Sequence, residues 1–155
     1  MAISVTLKRY LEQHQVEYQT VHHHHHTDTA FNSAKTAHIP ASSMVKGVLL
    51  HDDNGFMIAS TTATRTLNLN AINDVTKRSF KLANEDDLNR LLHDCEKGSV
   101  PALGQAFGLA TIWDDNLALQ PGFYLETGDH KELIRLSHLD FMSLIKDDLH
   151  GAISN

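Results

Sequence analysis

The sequence predicts one domain of mixed α/β class with a largely antiparallel sheet, and three observations lead there. The chain has 155 residues, the size of one ordinary domain with one core. Apolar residues make up 41% of it, enough to fill that core and too evenly spread for a disordered chain. Its strand-like runs are joined by tight turns rather than by a regular alternation of strand and helix, which excludes a doubly wound parallel sheet. No repeat and no linker divides the chain, so the domain is expected to span residues 1–155.

The elements follow in order. Ser4 can accept a hydrogen bond from the first turn of a helix running to about Gln15, with Leu7, Tyr10 and Leu11 on one face. Residues 16–21 alternate and read as a strand. A second helix begins near Asp28 or Thr29, carries Ala30, Ala34 and Ala37, and stops at Ile39 before Pro40. Residues 44–51 and 56–60 form a hairpin around Asp52-Asp53-Asn54-Gly55, because Asn-Gly tolerates the positive φ of a tight turn. Leu67, Leu69, Ile72 and Val75 mark a short helix, and residues 79–83 a strand. Asn84 with Asp87 caps a helix to about Asp94 that turns Leu88, Leu91 and Leu92 inward. Residues 96–110 are a long Gly-rich loop; strands at 111–113, 122–126 and 132–136 follow it. Ser137 with Asp140 opens the last helix, whose apolar residues include Leu139, Met142, Leu144 and Ile145.

Composition narrows the function. No apolar run approaches the roughly 20 residues of a membrane span, and residues 1–8 lack the pattern of a secretory signal. Cys95 is the only cysteine, so no internal disulfide forms, and the chain reads as cytoplasmic. A net charge of −6 excludes a strong general binder of nucleic acid, whose affinity comes from neutralising phosphates. The densest basic cluster is Lys77, Arg78 and Lys81, with Lys8 and Arg9 a second; both read as solvated faces.

The motif search begins with absences. There is no phosphate-binding Gly-rich loop ending in Lys-Ser/Thr, no dinucleotide fingerprint, no Gly-x-Ser-x-Gly and no His-Glu-x-x-His. The run His22 to His26 has affinity for metal, but five consecutive imidazoles aim in different directions, so it reads as a solvated loop. Cys95 lies between Asp94 and Glu96, whose charges weaken a thiolate nucleophile. Three features carry more. Lys46 places an ammonium inside an apolar strand; it is either an edge residue with its stem on apolar neighbours or a cleft lysine facing a phosphate or carbonyl. The loop Gly98-Ser99-Val100-Pro101-Ala102-Leu103-Gly104 lets backbone approach a ligand, or is a structural loop. Gly128-Asp129-His130 offers an acid/base histidine, or a turn.

Together and in this order, these features resemble the YbaK/prolyl-tRNA synthetase-associated domain family. The resemblance runs through the alanine-rich residues 29–38, Met44-Val45-Lys46-Gly47-Val48-Leu49-Leu50, Arg65-Thr66-Leu67-Asn68-Leu69, Phe80-Lys81-Leu82-Ala83, the loop 98–104 and Gly128-Asp129-His130. It implies a curled mixed sheet forming a partial barrel flanked by helices. It implies a trans-acting deacylase that hydrolyses the ester of a mischarged tRNA without metal or other cofactor. Lys46 would contact the terminal adenosine or its phosphate, Gly98 would position the aminoacyl carbonyl through its loop backbone, and His130 would support them. Ser99, Val100, Pro101, Ala102, Gly104, Arg65 and Asp129 would line the substrate. Two places depart from the family pattern: Pro101 comes one residue early, with Ala102 in the usual proline place, and Ser60-Thr61-Thr62-Ala63-Thr64 is unusually polar.

The implied partner is the 3′ end of a mischarged tRNA, held weakly and briefly, with an aminoacyl-tRNA synthetase as a second candidate and no DNA or membrane. Alanine, cysteine, serine and threonine all remain open as the amino acid, on tRNA for proline or another acceptor. Three alternatives stand beside this reading: a catalytically idle binding module of the same fold, a metal-dependent hydrolase using the histidine run, and a protein that edits only when docked on a synthetase.

Overall fold

A computed structural model describes residues 4–22, 34–35, 37–96, 100–129 and 131–155. Helix α1 (Val5–Gln13) starts where Ser4 Oγ accepts the Leu7 N–H at 3.2 Å, and it buries Leu7 and Leu11. It ends two residues earlier than the sequence suggests, because Gln15 turns the chain with a φ of 55°. Strand β1 (Gln19–His22) therefore begins later than residue 16. Most of the second predicted helix lies outside the described residues; Ala34 and Lys35 are helical and Ala34 is fully buried.

Strands β2 (Met44–Asp52) and β3 (Gly55–Thr62) form the central hairpin, in register from Val45↔Thr62 to Asp52↔Gly55. Asp52 Oδ1 holds the turn by accepting the Asn54 N–H at 2.9 Å; only Gly55 of the Asn-Gly pair takes positive φ. Helix α2 (Leu69–Thr76) is capped by Asn68 and stops at Lys77 in the left-handed region. Of residues 79–83 only β4 (Lys81–Leu82) is extended and paired, although Phe80 is buried beside it. Helix α3 (Glu85–Leu91) is capped by Asn84, whose side chain accepts the Asp87 N–H at 2.8 Å. Leu88 and Leu91 are only half-buried, and Leu92 carries the inward contact.

Strands β5 (Ala110–Asp114), β6 (Gly122–Glu126) and β7 (Glu132–Ser137) lie within a residue of their sequence positions. Helix α4 (His138–Ile145) is capped by Ser137 and buries Phe141 and Ile145, while Leu139 stays 80% exposed. Strand β8 (Leu149–Gly151) follows, where the sequence shows no strand signal. The sheet runs β1-β7-β6-β2-β3-β5-β8, with β4 paired to β2 beside this path. The sheet is mixed: β6, β3 and β5 pair in parallel with β2, β5 and β8 respectively, and the other ladders are antiparallel. Its two ends, β1 and β8, do not meet, so the curled sheet stays open.

Three apolar clusters hold the sheet and its helices. The largest gathers Leu7, Leu11, Val45, Leu103, Phe123 and Phe141 among others; a second is built on Leu50, Met57 and Ile112; a third joins Ala34, Met44 and Leu133. Each fully buried Leu or Phe contributes about 1.5–3 kcal/mol by leaving water. Strand β2 feeds all three clusters, while Lys46, Gly47 and Val48 are only half-buried, Val48 packing against the second cluster.

Candidate functional site

The edge of β2 away from β3 is interrupted. It pairs with β6 at Met44↔Tyr124 and Val45↔Leu125, and with β4 at Leu50↔Leu82 and His51↔Lys81. Between these ladders Lys46, Gly47 and Val48 have no strand partner among the described residues on that edge, while the Leu49 carbonyl accepts the Ala83 N–H at 3.0 Å. The result is a notch in the sheet, bounded by β6 at one end and β4 at the other. Because β6 runs parallel to β2, the residues after Leu125 continue along the notch, and Glu126, Thr127, Gly128 and Asp129 are all buried there.

The described residues on either side of 97–99 pack beside this place. The Glu96 N–H donates to the Gly128 carbonyl at 2.6 Å, and Cys95 packs against Gly128, where a Cβ would lie 3.1 Å from the thiol sulfur. At its other end the loop lies on β2. A Cβ on Gly47 would stand 3.2 Å from Ala102 Cα and 3.4 Å from Val100 Cγ1, tighter than ordinary contact, so glycine is what admits the loop. Pro101, Ala102 and Leu103 are buried. The two loop ends are thus fixed on opposite walls of the notch. The lysine strand, the glycine loop and the Gly128-Asp129 turn, separate in sequence, meet in space. Gly98, Ser99 and His130 lie outside the described residues.

Lys46 pairs across the hairpin with Thr61, so their side chains share a face of the sheet. Lys46 is half-buried and forms no hydrogen bond or ion pair with a described residue. Burial alone pulls its ammonium below the usual lysine range. Its stem lies in an apolar strand, while its ammonium has no counter-charge among the described residues.

The other expected site residues have structural occupations. Arg65 donates through Nε to Ser154 Oγ at 2.6 Å and through Nη2 to the Ser154 carbonyl at 3.2 Å, with Asp114 Oδ2 3.7 Å from Nε. Asp129 Oδ1 accepts the N–H groups of Lys131 and Glu132 at 2.9 and 3.0 Å, shaping the turn into β7. Gly104 opens a short 3-10 turn, and a Cβ there would fall 2.6 Å from Thr111 Oγ1. Cys95 is pushed up to about 12, by burial first and by Asp94 second, which makes it unreactive. Of the histidine run only His22 is described; its Nδ1 lies 3.1 Å from Glu132.

Sequence reasoning missed Thr61 and Asp114. Ser60, Thr61 and Thr62 are fully buried, and the Thr61 hydroxyl, on the same face of the sheet as Lys46, donates to Asp114 Oδ2 at 2.7 Å. The unusual polarity of that segment was the available signal. Its partner lies 53 residues away.

A family model described as the aminoacyl-tRNA editing domain matches residues 24–144. No curated protein matches the chain. Among solved structures, the hypothetical protein APE2540 superposes with a TM-score of 0.84 at 16% identity, covering 97% of this chain and 99% of its own. A protein described as a candidate trans-editing enzyme for prolyl tRNA synthetase gives 0.82 at 17% identity, covering 98% and 96%. A candidate signal transduction protein from Marinobacter aquaeolei VT8 gives 0.79 at 18% identity, covering 97% of this chain and 30% of its own. At such identities these structures establish a shared fold.

Proposed function

The chain belongs to the aminoacyl-tRNA editing domain family, and from that premise we propose that it is a trans-acting deacylase hydrolysing the ester of a mischarged tRNA. The observation that carries this reading is Lys46: a half-buried lysine without a partner among the described residues, on the stretch of β2 whose edge neither β6 nor β4 covers. An RNA 3′ end supplies the anion such a site lacks.

The chemistry asks little of the protein. An aminoacyl ester is already activated, so placing it beside a water gives much of the acceleration. Lys46 fixes the terminal adenosine or its phosphate. As the family resemblance implies, backbone N–H groups of the Gly98–Val100 loop receive the ester carbonyl and stabilise the developing oxyanion. A hydroxyl of the terminal ribose helps to activate the water, so no side-chain base is required. Selection falls on pocket size, which admits small amino acids such as alanine, cysteine, serine or threonine and refuses larger ones. Binding is brief, as a net charge of −6 demands. A synthetase that produces the mischarged species is the natural second partner.

The test is deacylation of a panel of mischarged tRNAs in the presence of chelator. Hydrolysis of at least one small-amino-acid species is expected. No hydrolysis of any species, with retained affinity for a non-hydrolysable aminoacyl-adenosine analogue, would replace the enzyme with an idle binding module.

A further inference from the structure

We propose that the concavity at the β4 end of the notch seats backbone phosphates of the RNA strand whose 3′ end lies at Lys46. The proposal rests on the reading of Lys46 above and names where the rest of the polynucleotide runs. The concavity encloses about 430 Å³ and is lined by His51, Lys77, Arg78, Ser79 and Lys81, together with Asp52, Asp53 and Asn54. In sequence these cations looked like a solvated face; folding gathers them around a hollow.

Each element has a placement. Arg78 donates to both oxygens of Asp52 at 2.5 Å and stacks 4.3 Å above the Phe80 ring, so it forms a fixed rim and cancels Asp52. The hydrogen bond from Arg78 holds the Asp52 carboxyl well below its ordinary range, at about 2, so that rim persists at any physiological pH. Lys77 caps α2 in the left-handed conformation, and Lys81 pairs with His51 across β4. Both lysines are exposed and have no ion pair with a described residue. With Arg78 and Asp52 matched, two free ammonium groups face a single remaining carboxylate, Asp53. The hollow is locally basic in an acidic chain.

Its position suits a strand rather than an isolated anion. His51 stands five residues beyond Lys46 on the same strand, roughly 17 Å at the rise of an extended chain. The odd offset turns His51, and Lys81 paired with it, to the face of β2 opposite Lys46, so a strand held by its terminal residue at Lys46 crosses the uncovered edge of β2 to lay its upstream phosphates here. Phosphates fix register and orientation without reading bases.

The experiment measures binding of uncharged tRNA to the full chain between 50 and 200 mM salt (roughly the range over which phosphate contacts show), for three proteins. These are the native chain, Lys77→Glu/Lys81→Glu, and Lys8→Glu/Arg9→Glu on the exposed face of α1. Losing two phosphate contacts is expected to lower the log–log salt slope by about 1.5–2 and to weaken binding for the Lys77/Lys81 variant only. An unchanged slope in that variant overturns the proposal, and so does an equal loss in the Lys8/Arg9 variant, which would make the effect one of total charge. Because the tRNA is uncharged, failure of the deacylase reading shows separately, as a native protein that binds with the expected slope and hydrolyses nothing.

Discussion

Two polar regions share the Thr61 position of the central hairpin, and they are built in opposite ways. On one side is the notch at Lys46, where a cation stands half-buried without a partner among the described residues. On the other is a clamp in which buried Asp114 accepts from Thr61, from Ser154 Oγ and from the Ile153 N–H, and Arg65 binds Ser154. The clamp ties the last residues to the start of α2, where Thr66 and Asn155 exchange backbone hydrogen bonds of 2.8 and 3.1 Å. Satisfied polar groups hold a fold together, whereas an unsatisfied cation signals a ligand. The family resemblance assigns a substrate role to both Lys46 and Arg65. The contacts separate them.

Substitution sharpens that contrast. Asp114→Ala should have the largest effect on stability, about 3 kcal/mol or more, because it leaves Thr61, Ser154 and the Ile153 N–H without their shared acceptor and removes the carboxylate paired with Arg65. Thermal unfolding should then fall by about 6–12 °C for a domain of this size. Arg65→Ala should cost less, about 1–2 kcal/mol, since its guanidinium is partly exposed and one charged hydrogen bond carries most of its contribution. Denaturant midpoints at constant slope measure both. If Arg65→Ala left stability untouched and abolished substrate binding, the clamp would belong to the site and the contrast would fail.

Much of this fold was legible in local pattern. Ser4, Asn84 and Ser137 start their helices where a side-chain oxygen meets the N–H three residues on, a signal contained within four residues. The β2–β3 hairpin was readable for the same reason. What escaped was set by distant partners. Strand β8 exists because Leu149 to Gly151 pair in parallel with β5, and three residues have no periodicity to show. The notch arises from the parallel pairing of β2 with β6, 80 positions apart in the Met44↔Tyr124 register, and from the shortness of β4. Lys46 was conspicuous in its apolar run, and the structure adds that it is half-buried with no partner among the described residues. Arg65 and Asp129 stood in recognisable motifs, while their hydrogen bonds serve a chain terminus and a turn.

The most direct test of the central claim measures Lys46→Ala twice, for deacylation of the best mischarged tRNA and for thermal unfolding. Removal of one preorganised positive group should lower kcat/KM by about a hundredfold or more. The unfolding temperature should stay within about 2 °C of the native chain, since Lys46 has no partner to lose among the described residues. Unchanged turnover, or a destabilisation as large as that of Asp114→Ala, would contradict the account.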